Sequence, residues 1–122
     1  MIGYVTVGTK DLKKAAEFYD KIADALGAKR FMENDHLIAW GTRGSGAGFC
    51  VAKPHDGKPM SVGNGVMIAL AATDRAQVDA IYKLALSLGG TDEGAPGDRG
   101  GGFYAGYFRD PEGNKLNAYK MG

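Results

Sequence analysis

The sequence predicts an α+β fold built from two tandem β-α-β-β-β modules, and two observations lead to this prediction. Short apolar segments and one amphipathic helical segment recur in the same order in both halves of the 122 residues. The 20 glycines and 4 prolines indicate many turns and close backbone approaches rather than a helical bundle. We expect a single domain over 1–122, with modules at about 1–53 and 64–122 and a linker at 54–63.

The repeat is visible at the level of single residues. Matching residues lie 63 positions apart, or 62 positions apart after one insertion or deletion. The matching pairs are 4–7 with 67–70, Asp11 with Asp74, Tyr19 with Tyr82, and 26–28 with 88–90. We therefore interpret the chain as two copies of one structural unit.

Each half opens with an apolar strand that is followed by an amphipathic helix. Apolar residues spaced three and four apart within 12–26 and 78–88 form one face of each helix. Tyr19 and Tyr82 lie on these faces, and we expect both to be structural. The candidate N-capping residues are Thr9 or Asp11 in the first half and Thr73 or Asp74 in the second half.

Short strands separated by turn residues follow each helix, which predicts an antiparallel meander in each module. The predicted strands are 30–32, 37–40 and 49–53 in the first module, and one near Thr91, 103–108 and 115–119 in the second module. The glycine-rich segment 94–103 is followed by a strand and not by a helix, so it does not fit a phosphate-binding loop. We expect this segment to be a mobile loop that acts as a lid.

Composition excludes several classes of function. The chain has fifteen Lys and Arg residues and fourteen Asp and Glu residues, and no segment is a block of positive or of negative charge. We therefore expect no nucleic acid partner. The longest apolar runs are far shorter than the roughly twenty residues of a membrane span, so we expect no membrane association. The one cysteine, Cys50, cannot form an intramolecular disulfide, and we expect a reducing, cytoplasmic location.

Two motifs resemble those of the vicinal oxygen chelate superfamily, which groups glyoxalase I, extradiol dioxygenases and the fosfomycin and bleomycin resistance proteins. The first motif is Tyr-Val-Thr-Val-Gly-Thr-Lys-Asp-Leu at 4–12, followed by Ala-Glu-Phe-Tyr at 16–19. The second is Tyr-Phe-Arg-Asp-Pro-Glu-Gly-Asn-Lys-Leu at 107–116. With the repeat, the resemblance covers nearly the whole chain. It implies that the modules form a curved antiparallel or mixed sheet around a concave cleft.

The resemblance also implies where a metal would bind. In metal-dependent members, His or Glu side chains at equivalent strand positions of the two modules bind one divalent cation. The positions that match here hold Tyr4, Met67 and Asn117, and the fourth falls on the 49–51 run with Cys50 as the best match. A phenol, a thioether, an amide and a thiol do not form the donor set of such a cation. We therefore expect no catalytic metal and no cofactor, so metal-dependent glyoxalase and dioxygenase chemistry does not carry over.

The strands that would line the cleft carry mostly neutral side chains. Side chains alternate between the two faces of a strand, and this places Tyr4 with Thr6 and Asn117 with Tyr119. Tyr and Met on a strand face can equally serve core or interface packing. If the modules pair as in the resembled family, the candidate ligand-binding residues are Tyr4, Thr6, Trp40, Cys50, Met67, Tyr107, Asn117 and Tyr119. Such a tyrosine-rich, apolar pocket suits an aromatic or partly apolar ligand.

The remaining polar candidates lie outside these strands. His36 is in a predicted turn and His55 is in the linker, and we expect both to be surface residues. His55 would become a candidate general base only if the linker covered the cleft. Arg99 and Arg109 could pair with an anionic ligand, although Arg109 is more easily satisfied by local carboxylates.

We predict a glyoxalase/bleomycin resistance-like protein that binds a small, partly apolar or aromatic molecule without a catalytic metal. One alternative is a lyase or isomerase in which Tyr4 or Tyr107 acts in acid-base catalysis. Others are a metal-dependent glyoxalase-like lyase and a non-catalytic dimer module. A lone module leaves one sheet face uncovered, so the modules should pair within one chain or between two chains, and we expect a homodimer.

Overall fold

The predicted β-α-β-β-β order occurs twice in the computed structural model, which describes residues 1–122 except for the side chain of residue 45. The chain divides into two compact units, Met1–Val62 and Gly63–Gly122. The first unit contains β1 (Tyr4–Gly8), α1 (Leu12–Ala25), β2 (Lys29–Glu33), β3 (Leu37–Thr42) and β4 (Ser45–Ala52). The second contains β5 (Ile68–Ala71), α2 (Arg75–Ser87), β6 (Thr91–Asp98), β7 (Phe103–Arg109) and β8 (Lys115–Met121). Among the described residues, neither helix is long and apolar enough to cross a membrane.

The first unit forms a mixed sheet with the strand order β1-β4-β3-β2, in which β1 runs parallel to β4 and the other pairs are antiparallel. One face of this sheet, which we call the near face, packs against α1. The ring of Tyr19 on α1 lies 5.8 Å from the ring of Trp40 and 4.7 Å from the ring of Phe49. Trp40 was predicted to line the ligand cavity. It lies instead in this core, only 3% exposed, because it pairs with Phe49 and so shares its face.

The ends of the helices resolve the alternatives that the sequence left open. Asp11 caps α1, since its carboxylate accepts a hydrogen bond from the backbone N–H of Lys14 at 3.1 Å. Asp74 caps α2 in the same way and accepts from the N–H of Gln77 at 2.8 Å. These carboxylates satisfy N–H groups that have no partner inside the helix. The repeat therefore extends to the capping interaction.

The second unit forms a mixed sheet with the strand order β5-β8-β7-β6, again with its first two strands parallel. Its near face packs against α2, and the core between them is fully buried. The hydroxyl of Tyr104 on β7 donates a 2.6 Å hydrogen bond to Asp79 on α2, which fixes the helix against the sheet. The largest fully buried apolar side chains of this unit are Val78, Ile81, Phe108 and Leu116.

The turn between β7 and β8 is held by one buried carboxylate. Oδ1 of Asp110 accepts hydrogen bonds from the backbone N–H groups of Glu112 and Asn114, both at 2.9 Å. Oδ2 accepts from Nδ2 of Asn114, also at 2.9 Å. Gly113 has a φ of 97°, a conformation that glycine adopts without strain. The turn thus closes the hairpin in one register.

The segment 94–103 differs from its prediction. It was expected to be a loop with the role of a lid, yet it comprises the end of β6, a turn and the start of β7. Gly94 pairs with Tyr107 and Gly97 pairs with Ala105, with an irregularity between the two pairs. The glycines lie in this bulge and in the turn after it, and the segment forms the end of the β6–β7 hairpin.

A network around Asp20 supports the first prediction. Nε and Nη2 of Arg30 donate to the two carboxylate oxygens of Asp20 at 2.8 and 2.7 Å, and the indole Nε1 of Trp40 donates to Oδ1 at 2.8 Å. In Asp20→Ala the buried indole N–H loses its acceptor, and such a loss costs about 1–2 kcal/mol. We expect the free energy of unfolding to fall by this amount, as measured by urea unfolding with the fluorescence of the chain's one tryptophan.

The same carboxylate predicts the sign of a pH effect. The hydrogen bonds from Arg30 are the main cause that holds the pKa of Asp20 below its usual 3.8. Its contribution is therefore present above pH 3.8 and is lost as the pH falls through the lowered pKa. The difference in the free energy of unfolding between the wild type and Asp20→Ala should therefore shrink only below pH 3.8. Asp24→Ala, an exposed change on the same helix, should alter stability by less than about 0.5 kcal/mol. Equal losses in both variants would contradict this role.

Candidate functional site

Each sheet has a second face that points away from its own helix, which we call the far face. On the far face of the first sheet, Thr6 of β1 pairs with Cys50 of β4, and Tyr4 pairs with Gly48. Burial raises the pKa of the Cys50 thiol, and a hydrogen bond from Thr6 offsets part of this rise. A buried thiol with a raised pKa carries little thiolate at neutral pH and is a poor nucleophile.

The far face of the first sheet also carries two large side chains that sequence reasoning missed. The ring of Phe31 lies over two glycines, and a Cβ atom on Gly48 would lie 3.0 Å from its Cζ atom. Met32 belongs to the row that contains Ala39, Cys50 and Thr6. The exposed fractions on this face are 68% for Tyr4, 60% for Phe31 and 52% for Met32.

The far face of the second sheet carries a row formed by Ala69, Asn117, Tyr107 and Gly94 from its four strands. Asn117 and Tyr107 were both predicted site residues, and the strand register places them side by side. Ala69 and Asn117 have the same relation as Thr6 and Cys50 in the first sheet. This register makes Cys50 and Asn117 equivalent positions of the repeat.

Asn117 has an unusual hydrogen-bonding state. Its side chain is only 1% exposed, and its Oδ1 atom has no hydrogen-bond partner in the part of the chain that the structure describes. A buried polar atom without a partner costs about 1–3 kcal/mol, and most native structures contain few of them. A ligand with an N–H or O–H donor would supply the partner.

Two cations lie against the ring of Tyr107. The guanidinium carbon of Arg99 is 5.3 Å from the ring centroid, and Nζ of Lys115 is 5.7 Å from it. Both distances are within the range of a cation–π contact. Nη2 of Arg99 also donates to the carbonyl oxygens of Ala95 and Ala105. Lys115 had not been singled out, although its position two residues before Asn117 places it on the same face.

Other far-face residues of the second sheet extend this surface. The rings of Tyr119 and Phe103 stack with their centroids 5.7 Å apart. Tyr119 lies in the row next to Asn117, opposite Ala71 and Ala105. Met67 comes just before β5 and is partly exposed. Of the predicted ligand-binding residues, Tyr107, Asn117 and Tyr119 thus share one face of one unit.

The four positions that would hold a metal do not fit that role. Tyr4 and Met67 are exposed and offer a phenol and a thioether, while the buried Cys50 and Asn117 offer a thiol with a raised pKa and an amide. Divalent cations that act as Lewis acids prefer carboxylate, imidazole or thiolate donors. Among the described residues, His, Cys, Asp and Glu side chains form no group of three or more that could bind a metal ion.

A pocket lies in the first unit, where the linker folds against the ends of β1, β3 and β4. It has a volume of about 870 Å³, and both histidines line it. His36 and His55 are exposed, as are the lysines of this pocket, Lys10, Lys53 and Lys58. Among the described residues, Asn117 Oδ1 is the one fully buried side-chain nitrogen or oxygen atom without a hydrogen-bond partner. The far face of the second sheet is therefore the stronger candidate for a ligand site.

The state of Asn117 supports the second prediction. Replacement of Asn117 by leucine removes an unsatisfied buried amide and keeps a similar volume. We expect the free energy of unfolding to rise by about 1 kcal/mol, as measured by urea or thermal unfolding. Asn114→Leu is the matched control, because Asn114 is also buried but donates a hydrogen bond to Asp110. Loss of this hydrogen bond should lower the free energy of unfolding. A comparable loss of stability in both variants would show that Asn117 is bonded in solution.

Comparison with known proteins agrees with this fold. The family model of the Glyoxalase/Bleomycin resistance protein/Dioxygenase superfamily matches residues 1–118. The crystal structure of a glyoxalase/bleomycin resistance protein from Albidiferax ferrireducens T118 is similar, with 33% identity, a TM-score of 0.89 and coverage of 98% of this chain and 97% of that chain.

Two further structures are similar in fold alone. A glyoxalase/bleomycin resistance protein/dioxygenase family enzyme from Burkholderia phytofirmans PsJN has 16% identity and a TM-score of 0.78, covering 98% of this chain and 97% of that chain. A putative glyoxalase from Bacillus halodurans has 16% identity and a TM-score of 0.79, covering 98% and 94%. No curated protein matches the chain.

Proposed function

The chain belongs to the Glyoxalase/Bleomycin resistance protein/Dioxygenase superfamily, and from this premise we propose that it binds a small organic molecule on the far face of its second sheet. The observation that supports this most directly is the buried Oδ1 atom of Asn117, which finds no donor within the described part of the chain. A ligand donor placed there would recover the free energy that burial of this atom costs. A buried polar group without a partner is uncommon in native proteins, and a role in binding is one of the explanations for it.

The character of the surrounding side chains supports a partly apolar or aromatic ligand. Tyr107, Tyr119 and Phe103 supply aromatic surface, and the two alanines of β5 on this face are too small to cover it. Aromatic side chains stack on planar ligands and contribute large apolar area. A few polar groups then set the orientation of the ligand.

We further propose that binding requires no catalytic metal. The residues at the metal positions of the family are Tyr4, Met67, Cys50 and Asn117, and their donors do not suit a Lewis-acidic cation. Ligand binding should therefore be unchanged after treatment with a chelator. Loss of binding on chelation, with recovery on addition of one divalent metal, would contradict this proposal.

The third prediction tests the ligand site. A thermal-shift screen of small aromatic molecules should yield a compound that raises the melting temperature of the wild type by mass action. Its affinity, measured by calorimetry, should fall about tenfold in Asn117→Leu, which corresponds to the loss of one hydrogen bond of about 1.4 kcal/mol. Asn64→Leu, at an exposed asparagine before β5, should leave the affinity unchanged.

Two other outcomes of this screen are informative. Failure of every compound to shift the melting temperature would contradict a binding role for this face. Conversion of a bound compound, followed by NMR and lost in Tyr107→Phe, would indicate the lyase or isomerase alternative.

We also propose that the chain forms a homodimer, and this is the fourth prediction. Tyr4, Phe31 and Met32 expose much of their apolar surface on the far face of the first sheet, and patches of this kind commonly mark interaction sites. Sedimentation velocity should give a mass of about twice the 12.8 kDa of one chain. Met32→Glu should shift the equilibrium to monomer, whereas Lys21→Glu on the exposed side of α1 should not. A monomeric wild type would contradict the proposal.

A further inference from the structure

We infer that the ligand of the second sheet is an aromatic carboxylate that also carries a hydroxyl or amino group. This inference rests on the proposed function and names the class of molecule that the same site takes. It is based on three groups that surround Tyr107: the guanidinium of Arg99, the ammonium of Lys115 and the amide of Asn117.

The arrangement of cations on this face favours a negative charge on the ligand. Arg109 also lies on the face, but its Nε donates to Glu93 at 2.9 Å, so this pair is neutral. Within the described residues, the nitrogens of Arg99 and Lys115 have no carboxylate within 4.0 Å. Two positive charges thus remain uncompensated beside one ring, in a chain whose net charge is only +1.

Arg99 is held in place for recognition. Its Nη2 atom bonds two backbone carbonyl oxygens, Ala95 O and Ala105 O, where the bulge of β6 frees a carbonyl from the strand ladder. Its Nε and Nη1 atoms make no hydrogen bond to any described residue. An arginine that is already ordered loses less entropy when it binds a carboxylate, and its planar fork matches the two carboxylate oxygens.

The other two parts of the ligand follow from neighbouring side chains. In its row of the sheet, Tyr107 lies between Gly94, which the guanidinium of Arg99 approaches, and Asn117. A ligand ring placed beside Tyr107 can therefore reach Arg99 and Asn117, and also Lys115, whose Nζ lies 5.7 Å from the Tyr107 ring centroid. The carboxylate would face Arg99 and Lys115. On the side of the ring away from Arg99, a hydroxyl or amino group would donate to Oδ1 of Asn117, which needs a donor and not an acceptor.

The alternative is that these cations form an ordinary solvated surface. Two features separate the site from such a surface. Elsewhere, Arg30 and Arg75 form ion pairs with carboxylates at 2.7 and 3.2 Å. The Arg99 and Lys115 side chains lie instead against the half-buried ring of Tyr107, and neither has a carboxylate partner among the described residues.

The fifth prediction uses matched probes that differ by one group. We expect the wild type to bind 4-hydroxybenzoate at least about tenfold more tightly than 4-hydroxybenzamide, which has the same shape without the charge. Benzoate, which lacks the donor for Asn117, should also bind more weakly. Titrations monitored by ¹⁵N NMR would follow the side-chain amide signal of Asn117 and give each dissociation constant.

Variants then assign the preference to its residues. Arg99→Ala and Lys115→Ala should each reduce the preference for the carboxylate over the amide, and raised salt should do the same. Arg75→Ala is the matched control, because Arg75 also lies over a tyrosine ring, 4.9 Å from the centroid of Tyr104, but on the near face. It should leave the preference unchanged.

The outcomes separate this inference from the proposed function. Equal binding of 4-hydroxybenzoate and its amide, with both lost in Asn117→Leu, would overturn the inference and support the proposed site. A preference that survives both cation variants would also overturn it. Absence of binding by all three probes would overturn the inference as well, and the broader screen described above would then decide whether this face binds small molecules.

Discussion

The candidate site depends on the hydrogen bonds that the buried carboxylate of Asp110 accepts in the turn between β7 and β8. This carboxylate accepts hydrogen bonds from two backbone N–H groups and from the side chain of Asn114, and so satisfies polar groups of a turn whose two ends, Asp110 and Asn114, are buried. Because this turn joins β7 to β8 directly, its geometry sets their register. The register in turn places Tyr107 opposite Asn117. A slip of β8 by one residue would move the side chain of Asn117 to the helix side of the sheet.

The two faces of the second sheet therefore have different physical roles. The near face is packed against α2 by fully buried apolar side chains such as Phe108 and Leu116, and it accounts for much of the stability of the unit. The far face contains an amide that is buried without a partner among the described residues, next to two cations that lack a carboxylate there. Features that reduce stability in the absence of ligand are the expected sign of a binding surface.

Much of the fold could be predicted because it depends on local patterns. The helix periodicity and the apolar strands recur in both halves. In each half, one of the two candidate capping residues, Asp11 or Asp74, caps the helix in the structure. The side of Trp40 was harder to predict, because it depends on how β3 pairs with β4. The side of Phe31 was the hardest to predict. Its position follows from an irregularity in β2 between Arg30 and Met32, which breaks the two-residue alternation on which strand predictions rest.

The difference between the two modules locates the site more sharply than their similarity does. Cys50 and Asn117 occupy the same place in the repeat, and each lies beside the residue that β1 or β5 contributes. In the first sheet that neighbour is Thr6, whose hydroxyl bonds the thiol of Cys50. In the second sheet it is Ala69, which has no polar side-chain atom. Because Ala69 replaces the threonine of the first sheet, the Oδ1 atom of Asn117 has no hydroxyl beside it in β5 and no partner among the described residues, whereas the thiol of Cys50 is bonded within its own sheet.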